Sequence, residues 1–533
     1  MSMKCRSIIF IYFFLFLSIV LGVFITSDLF IDHLNAPKYY SIVISTTVML
    51  IASLVLKDGL TNLHRALQSN ILFMGITVIC FLSSLFGCFQ FYGLIPSNHS
   101  AFPITGSFEN PAGFAAVQSS LFPFVFVDCL NKGGGRFKHL IIILTSLFCI
   151  ITIVLSGSRA GMLAICSCIM VVLAFQDKVK DLFQKNRWLW MPFLALVSLM
   201  LLLLYFFKQD SADGRLFIWK RCLELIKEKP LFGYGIDGFH RLYMEHQADY
   251  FSAHPDSPYT MIADNVRNPL NEYIKLTVCF GIVGLSIAIG FMVYVIYKLL
   301  RLDKRTKVLG LSFISSMFIM SLFSYPYIYS VVWLLSFVAI IPAFVSSGNN
   351  RRAPKLLRYA ILPVLLAFLS FSLKEMYYEM KWAEVIKRSN AGKAKRMIPN
   401  YEDLKRVMGD NPVFNYNYAV LLNGIGHYEE SLERISKCEE KWNEYYVQLL
   451  FASIYENMGQ YEKAIQAYEE AHNMVPCRFE PLFGKLMIFC SNKDTINVIQ
   501  TADEIIEKPI KVHSERLSQM ITHANKAKEL FSD

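Results

Sequence analysis

DGRLFIWKRCLELIKEKPLFGYGIDGFHRLYMEHQADYFSAHPDSPYTMIADNVRNPLNEYIKLTVCFGIVGL, Asp213 to Leu285, is a polar, charged, histidine-bearing stretch set between long apolar runs. Ionisable groups are costly inside a bilayer, so a membrane protein that acts on a water-soluble group keeps its reactive residues in such a loop or at its rim. The surrounding chain fits that setting. Of its 533 residues 54% are hydrophobic and only 18% are charged, and the mean hydropathy is +0.39. Many uncharged runs are long enough to cross a hydrocarbon core of roughly 30 Å, so the chain reads as an all-α, polytopic helical membrane protein.

Working outward from the loop, apolar spans are expected near Ile8–Ile25, Tyr39–Leu56, Ile71–Phe91, Ala112–Leu130, Leu140–Leu155, Met162–Phe175 and Trp188–Phe207 on one side of it. Leu276–Tyr297, Leu309–Phe323, Ile328–Val345 and Tyr359–Leu373 follow on the other, about eleven spans in all. The first follows the short basic segment Met1–Ser7 with no small-residue cleavage site after it, which reads as a retained helix. The net charge of +10 is concentrated in alternate connections, among them Lys132, Arg136 and Lys138, and Lys298, Arg301, Lys304, Arg305 and Lys307. Basic residues so placed mark the cytoplasmic side, which argues against nucleic-acid binding. It puts the N-terminus in the cytoplasm and the large Lys208–Asn268 loop on the outer, non-cytoplasmic face. The Leu94–Asn110 connection, the Ser156–Gly161 hairpin and everything after Leu373 share the loop's side. The twelve cysteines are scattered, without a Cys-x-x-Cys pair, so no zinc site or disulfide framework is expected.

Residues 1–373 are therefore expected to form the membrane domain, with the loop at 208–268, and residues 374–533 a helical domain on the outer face. In the latter, Ala452, Tyr455, Gly459, Tyr461, Ala464, Tyr468, Ala471 and Pro476 stand at the marker positions of a tetratricopeptide repeat, and Ala419, Gly426, Tyr428 and Ser431 echo them one repeat earlier. Such a surface docks a partner or caps the domain.

Within the candidate site, Arg159 in SGSRAG reads either as a snorkelling arginine marking a turn or as a guanidinium that holds a pyrophosphate bidentately. Arg215 opens an amphipathic stretch carrying Leu216, Trp219, Leu223 and Ile226 at helical spacing. Gly233 and Gly235 read as helix-ending turn residues rather than a nucleotide loop. His240, His246 and His254 lack the spacing of a metal site. Glu272, in NPLNEY at the mouth of a span, is either a proton acceptor or the acidic residue favoured at a helix N-terminus.

Three separated segments, SFENPAGFAA (107–116), LSGSRAG (155–161) and the Gly214–Phe239 stretch followed by NPLNEYIKLTVCFGIVGL (268–285), resemble the O-antigen ligase and polymerase superfamily. The resemblance implies an enzyme without metal or cofactor. It would pass a glycan from a lipid-linked donor, undecaprenyl pyrophosphate, to a lipid, glycan or protein acceptor at the outer face of the bacterial inner membrane. It implies that Arg159 and Arg215 contact the donor pyrophosphate, with Arg267 and Arg241 further candidates by position. Asn110 belongs to its first Asn-Pro element, and Asn271 is the second asparagine of its Asn-Pro-x-Asn element. Ligases of this superfamily commonly carry histidine where this chain has Leu270; a leucine accepts no proton, so Glu272 or His254 would substitute. A polymerase, a protein O-oligosaccharyltransferase and an inactive scaffold for polysaccharide assembly are the competing expectations, the repeats adding a protein partner.

Overall fold

The computed structural model describes residues 3–56, 59–129, 135–186, 188, 191, 206, 209–344 and 355–532. Among them it is helical throughout, without a strand. Six stretches are long and apolar enough to cross a membrane: Ala36–Val55, Asn70–Phe91, Arg136–Leu155, Glu272–Leu299, Lys304–Phe323 and Ala360–Met408. Shorter apolar helices cover Ile8–Phe24, Arg159–Ala174 and Ser330–Ala343. The chain is thus a multi-pass membrane protein. The span expected at Trp188–Phe207 lies almost wholly outside the described residues.

Two compact units emerge: residues 1–204, 270–272 and 287–384, and residues 205–269, 273–286 and 385–533. The first is a bundle of α1 (Met3–Phe24), α2 (Ala36–Val55), α3 (Gly59–Leu67), α4 (Asn70–Phe91), α5 (Pro111–Cys129), α6 (Arg136–Leu155), α7 (Arg159–Ala174) and α8 (Asp177–Lys185) with later helices. Its centre is α5, where Phe114, Ala115, Ala116, Val117, Leu121, Phe122, Phe124 and Val125 are fully buried. A helix enclosed on all sides needs polar groups matched internally. Gln118 does this, donating to Ser84 Oγ at 3.1 Å and accepting from Cys80 Sγ at 3.3 Å.

The second unit holds α9 (Gln209–Glu228), α10 (Gly238–Ala253) and the first half of α11 (Glu272–Leu299); α12 (Lys304–Phe323), α13 (Ser330–Ile340) and most of α14 (Lys355–Arg388) return to the first. The second then continues through α15 (Ala394–Met408), α16 (Pro412–Gly424), α17 (Tyr428–Glu439), α18 (Tyr445–Asn457), α19 (Tyr461–Met474), α20 (Glu480–Ser491), α21 (Thr495–Glu507) and α22 (Glu515–Ser532). Here the polar loop and the C-terminal helices share one core. Ile218, Cys222, Phe239, Tyr243, Met244 and Ala248 from the loop pack with Tyr445, Ala471, Met474 and Val475.

One expected element is corrected. The span read as continuous over Leu276–Tyr297 is broken at Gly281, whose φ of 65° and ψ of −169° lie outside helical space. A break in an apolar helix frees backbone groups that lipid cannot satisfy. The Pro230–Gly235 segment supplies the partners: the Ile282 and Val283 amides donate to the Pro230 and Leu231 carbonyls at 2.8 and 3.2 Å, and the Tyr234 and Gly235 amides donate to the Val278 and Cys279 carbonyls at 3.0 and 2.8 Å. So close an approach leaves no room for side chains. A Cβ on Gly281 would collide with the Leu231 carbonyl, and one on Gly233 with the Val278 and Cys279 carbonyls. Gly233 thus does more than end a helix.

Candidate functional site

The two ends of the bundle differ in chemistry. At one, buried Asp128 accepts from Arg305 Nε and Nη2 at 3.0 and 2.9 Å and pairs with Lys138 at 3.5 Å, while Lys304 pairs with Asp177 at 3.1 Å. The other carries Asp32, Asn35, Glu109, Asn110, Tyr325 and Tyr329. Asn110 sits where Pro111 opens α5. Its Oδ1 accepts from the Ala112 and Gly113 amides at 2.8 and 3.1 Å, the role of a helix-capping asparagine ahead of an N1 proline. Its Nδ2 donates to Tyr325 Oη at 3.0 Å, so Asn110 also ties the start of α5 to the segment after α12.

The neighbouring Glu109 is a residue the sequence reading passed over. It accepts from Tyr329 Oη at 2.7 Å and from Asn35 Nδ2 at 3.0 Å. The signal was there, a carboxylate inside the Asn-Pro element. Lys38 was passed over too. It is buried, and its ammonium donates to the carbonyls of Ile25, Leu34 and Ser107 at 2.9, 2.6 and 2.8 Å. That uses all three of its protons. Between these groups lies a cavity of about 340 Å³ faced by Asp32, Asn35, Tyr40, Tyr329 and Glu379. Tyr39, Ile328 and Ser330 line both this chamber and an apolar groove of about 410 Å³ between α2 and α13, walled by Ile42, Thr46, Met49, Trp333 and Phe337.

Arg159 is the first residue of α7 and is buried, and Ser158 before it caps the helix by accepting from the Gly161 amide at 3.3 Å. The small residues of SGSRAG have a packing reason: a Cβ on Gly161 would press against Ala115 of α5. Asn271 is buried and Glu272 opens α11. Burial, with the negative charge of Glu272 added to it, raises the pKa of the Tyr327 hydroxyl, which places that carboxylate near Tyr327. These residues all belong to the first unit. Leu270, where the superfamily's histidine is expected, adopts φ of 56°. A left-handed conformation is unfavourable for a branched side chain, and strain of this kind concentrates at functional turns.

The second unit holds the other candidates. Arg215 lies nearly two turns inside α9, and from the same helix Trp219 Nε1 donates to the Pro269 carbonyl at 2.9 Å. Lys275 Nζ donates to Asn268 Oδ1 at 3.0 Å, so the Asn-Pro turn is held from both sides. Arg267 gives its fork to Glu444, Nε to Oε2 at 2.9 Å and Nη2 to Oε1 at 2.8 Å, and Asn265 Nδ2 adds a third bond at 3.1 Å. Glu444 is only 2% exposed, so this pair fastens the loop to α18. Arg241 is exposed on α10. His254 is exposed at the end of α10, its ring stacked on Tyr250 with centroids 4.6 Å apart and its Nδ1 2.9 Å from the Tyr250 carbonyl. His240 is kept neutral: burial first, then the positive charge of Lys275, push its pKa down to about 4. Among the described residues no group of three His, Cys, Asp or Glu side chains is placed to hold a metal ion.

Residues 144–289, which include Arg159, Arg215 and the whole loop, match the protein-family model described as O-Antigen ligase. No curated protein matches the chain. The match gives residues 144–289 the likeness of an O-antigen ligase domain and supports glycan transfer of the ligase and polymerase type in general.

Proposed function

We propose that the protein transfers a glycan from an undecaprenyl-pyrophosphate donor to an acceptor hydroxyl at the periplasmic face of the inner membrane. The observation that carries this reading is the family match over 144–289, which spans both arginines and the strained Asn-Pro turn. In this reading Arg159 and Arg215 neutralise the pyrophosphate as it leaves. A fixed guanidinium stabilises charge that grows in the transition state better than water does, because it need not reorganise. Arg267 and Arg241 are secondary donor contacts, Arg267 foremost a strut. Glu272, near Tyr327 at the head of α11, takes the acceptor proton in place of a histidine at 270, with His254 the alternative. The orientation rests on positive-inside placement, the Arg305 and Lys138 end being cytoplasmic.

A lipid acceptor is favoured over protein or another glycan by the chamber and groove of the first unit. The groove suits an acyl chain, and carboxylates beside a lysine already saturated by carbonyls suit a hydroxyl-bearing head better than a phosphate. The test is reconstitution with a lipid-linked glycan donor and candidate acceptors. Arg159→Ala and Arg215→Ala should each lower turnover by about 100-fold at unchanged expression. Full activity in both variants removes the two arginines from the mechanism, and the absence of transfer by the parent protein with every acceptor rejects the transferase reading in favour of a scaffold.

A further inference from the structure

We propose that the cleft between α15, α16 and α17 in the C-terminal helices binds an anionic saccharide. The cleft has a volume of about 550 Å³, within the range of small-molecule sites. Five cations line it, Lys405, Arg406, Arg434, Lys437 and Lys441, against three carboxylates, Glu402, Asp410 and Glu440. The cations are only partly neutralised from within. Lys405 pairs with Glu402 at 3.1 Å, whereas Arg434 and Lys437 share the single carboxylate of Glu433. Lys441 Nζ donates to the neutral Asp410 carbonyl at 3.2 Å. Like charges gathered in one concavity raise the local potential and draw in an anion.

A second observation concerns hydrogen bonding. Asn415 lines the same cleft and is 1% exposed. Its Nδ2 donates to the Gly409 carbonyl at 2.8 Å, but its Oδ1 is buried without a hydrogen-bond partner. An unmet buried acceptor costs about 1–3 kcal/mol, and a ligand that brings a donor recovers it. The cleft therefore asks for an anionic group and a hydroxyl close together. A sugar bearing a carboxylate or a phosphate supplies both. The lining is polar apart from Val407, so a peptide, which binds a helical surface through apolar anchors, fits less well.

The inference is independent of the transfer reading, since it concerns binding alone and Arg159→Ala protein should bind as the parent does. The experiment is titration calorimetry on the full-length protein in detergent with four probes: hexagalacturonate, a phosphorylated mannohexaose, neutral maltohexaose and hexaglutamate. At least one charged sugar should bind ten-fold or more tightly than both maltohexaose and hexaglutamate, and which one does so identifies carboxylate or phosphate as the anion. Lys437→Glu with Lys441→Glu should weaken that binding by ten-fold or more with an unchanged circular dichroism spectrum. Asn415→Ala should weaken the sugar several-fold and leave hexaglutamate unaffected. The proposal is overturned if neither charged sugar binds, if hexaglutamate or maltohexaose binds equally well, or if the double charge reversal changes nothing.

Discussion

The first unit gathers charges at the two ends of an apolar bundle, with Asp128, Lys138 and Arg305 at one and Asp32, Lys38 and Glu109 at the other. The second unit distributes charge along amphipathic helices whose apolar faces meet in a single core, as where Met244 and Ala248 of the loop join Ala471 and Met474 of the C-terminal helices. The contrast follows from solvent. Lipid penalises any polar group not paired internally, so the bundle's specificity comes from a few exact polar matches such as Gln118. Water tolerates charge on the outer face of a helix, so the loop and C-terminal helices are joined by ordinary apolar burial and by ion pairs such as Arg267–Glu444.

The comparison is broken most severely where the units' rules meet in one helix. Gly281→Leu should cost about 4 kcal/mol or more, because its side chain would expel the Pro230–Gly235 segment and strand the α11 backbone; size-exclusion chromatography of the detergent extract should show aggregated protein. Next, Met474→Ala, in the core the loop shares with α19, should destabilise the second unit by about 2–4 kcal/mol, read as earlier proteolytic cleavage within 374–533. Arg267→Ala leaves Glu444 buried with Asn265 as its remaining side-chain donor. It should cost about 2 kcal/mol, with Glu444→Gln partly restoring stability in the double variant.

The smallest effect is on pH. Glu470 of α19 has its carboxyl pushed up to about 7, by burial first and then by the negative charges of Asp249 and Glu245 on α10 and Glu439 on α17. A carboxyl whose folded pKa lies above its unfolded value near 4.5 holds its proton more tightly when folded. Stability from this group is therefore lost as pH rises from about 4.5 to about 7. A melting temperature that falls across that window in the parent, and falls less in Glu470→Gln, is the expected result; identical pH profiles would remove Glu470 from the account.

Hydropathy and charge spacing made most of the bundle legible. The turn at 268–272 and the hairpin at 156–161 were legible as motifs, and so was their order along the chain. The break at Gly281 was not, since GIVGL is as apolar as its flanks and only the approach of Leu231 reveals why a glycine is required there. Arg267 stood beside Arg159 as a further candidate anion holder by its position in the loop. Arg267 proved to be engaged by Glu444, 177 residues further along the chain, a distance over which residue type and spacing carry no information. Glu109 and Lys38 were missed because short connections read as linkers unless their backbone carbonyls are seen.

What this chain's residues determined unaided was an all-helical membrane protein with a polar loop and an amphipathic C-terminal region, because the cost of placing charge in lipid is local and additive along the sequence. The tertiary structure alone decided that Arg267 is bound by the Glu444 carboxylate, where α11 breaks, and that the loop and the C-terminal helices have a common core. Those outcomes depend on contacts between residues far apart in the chain, and pairwise geometry is not encoded in any one segment's composition.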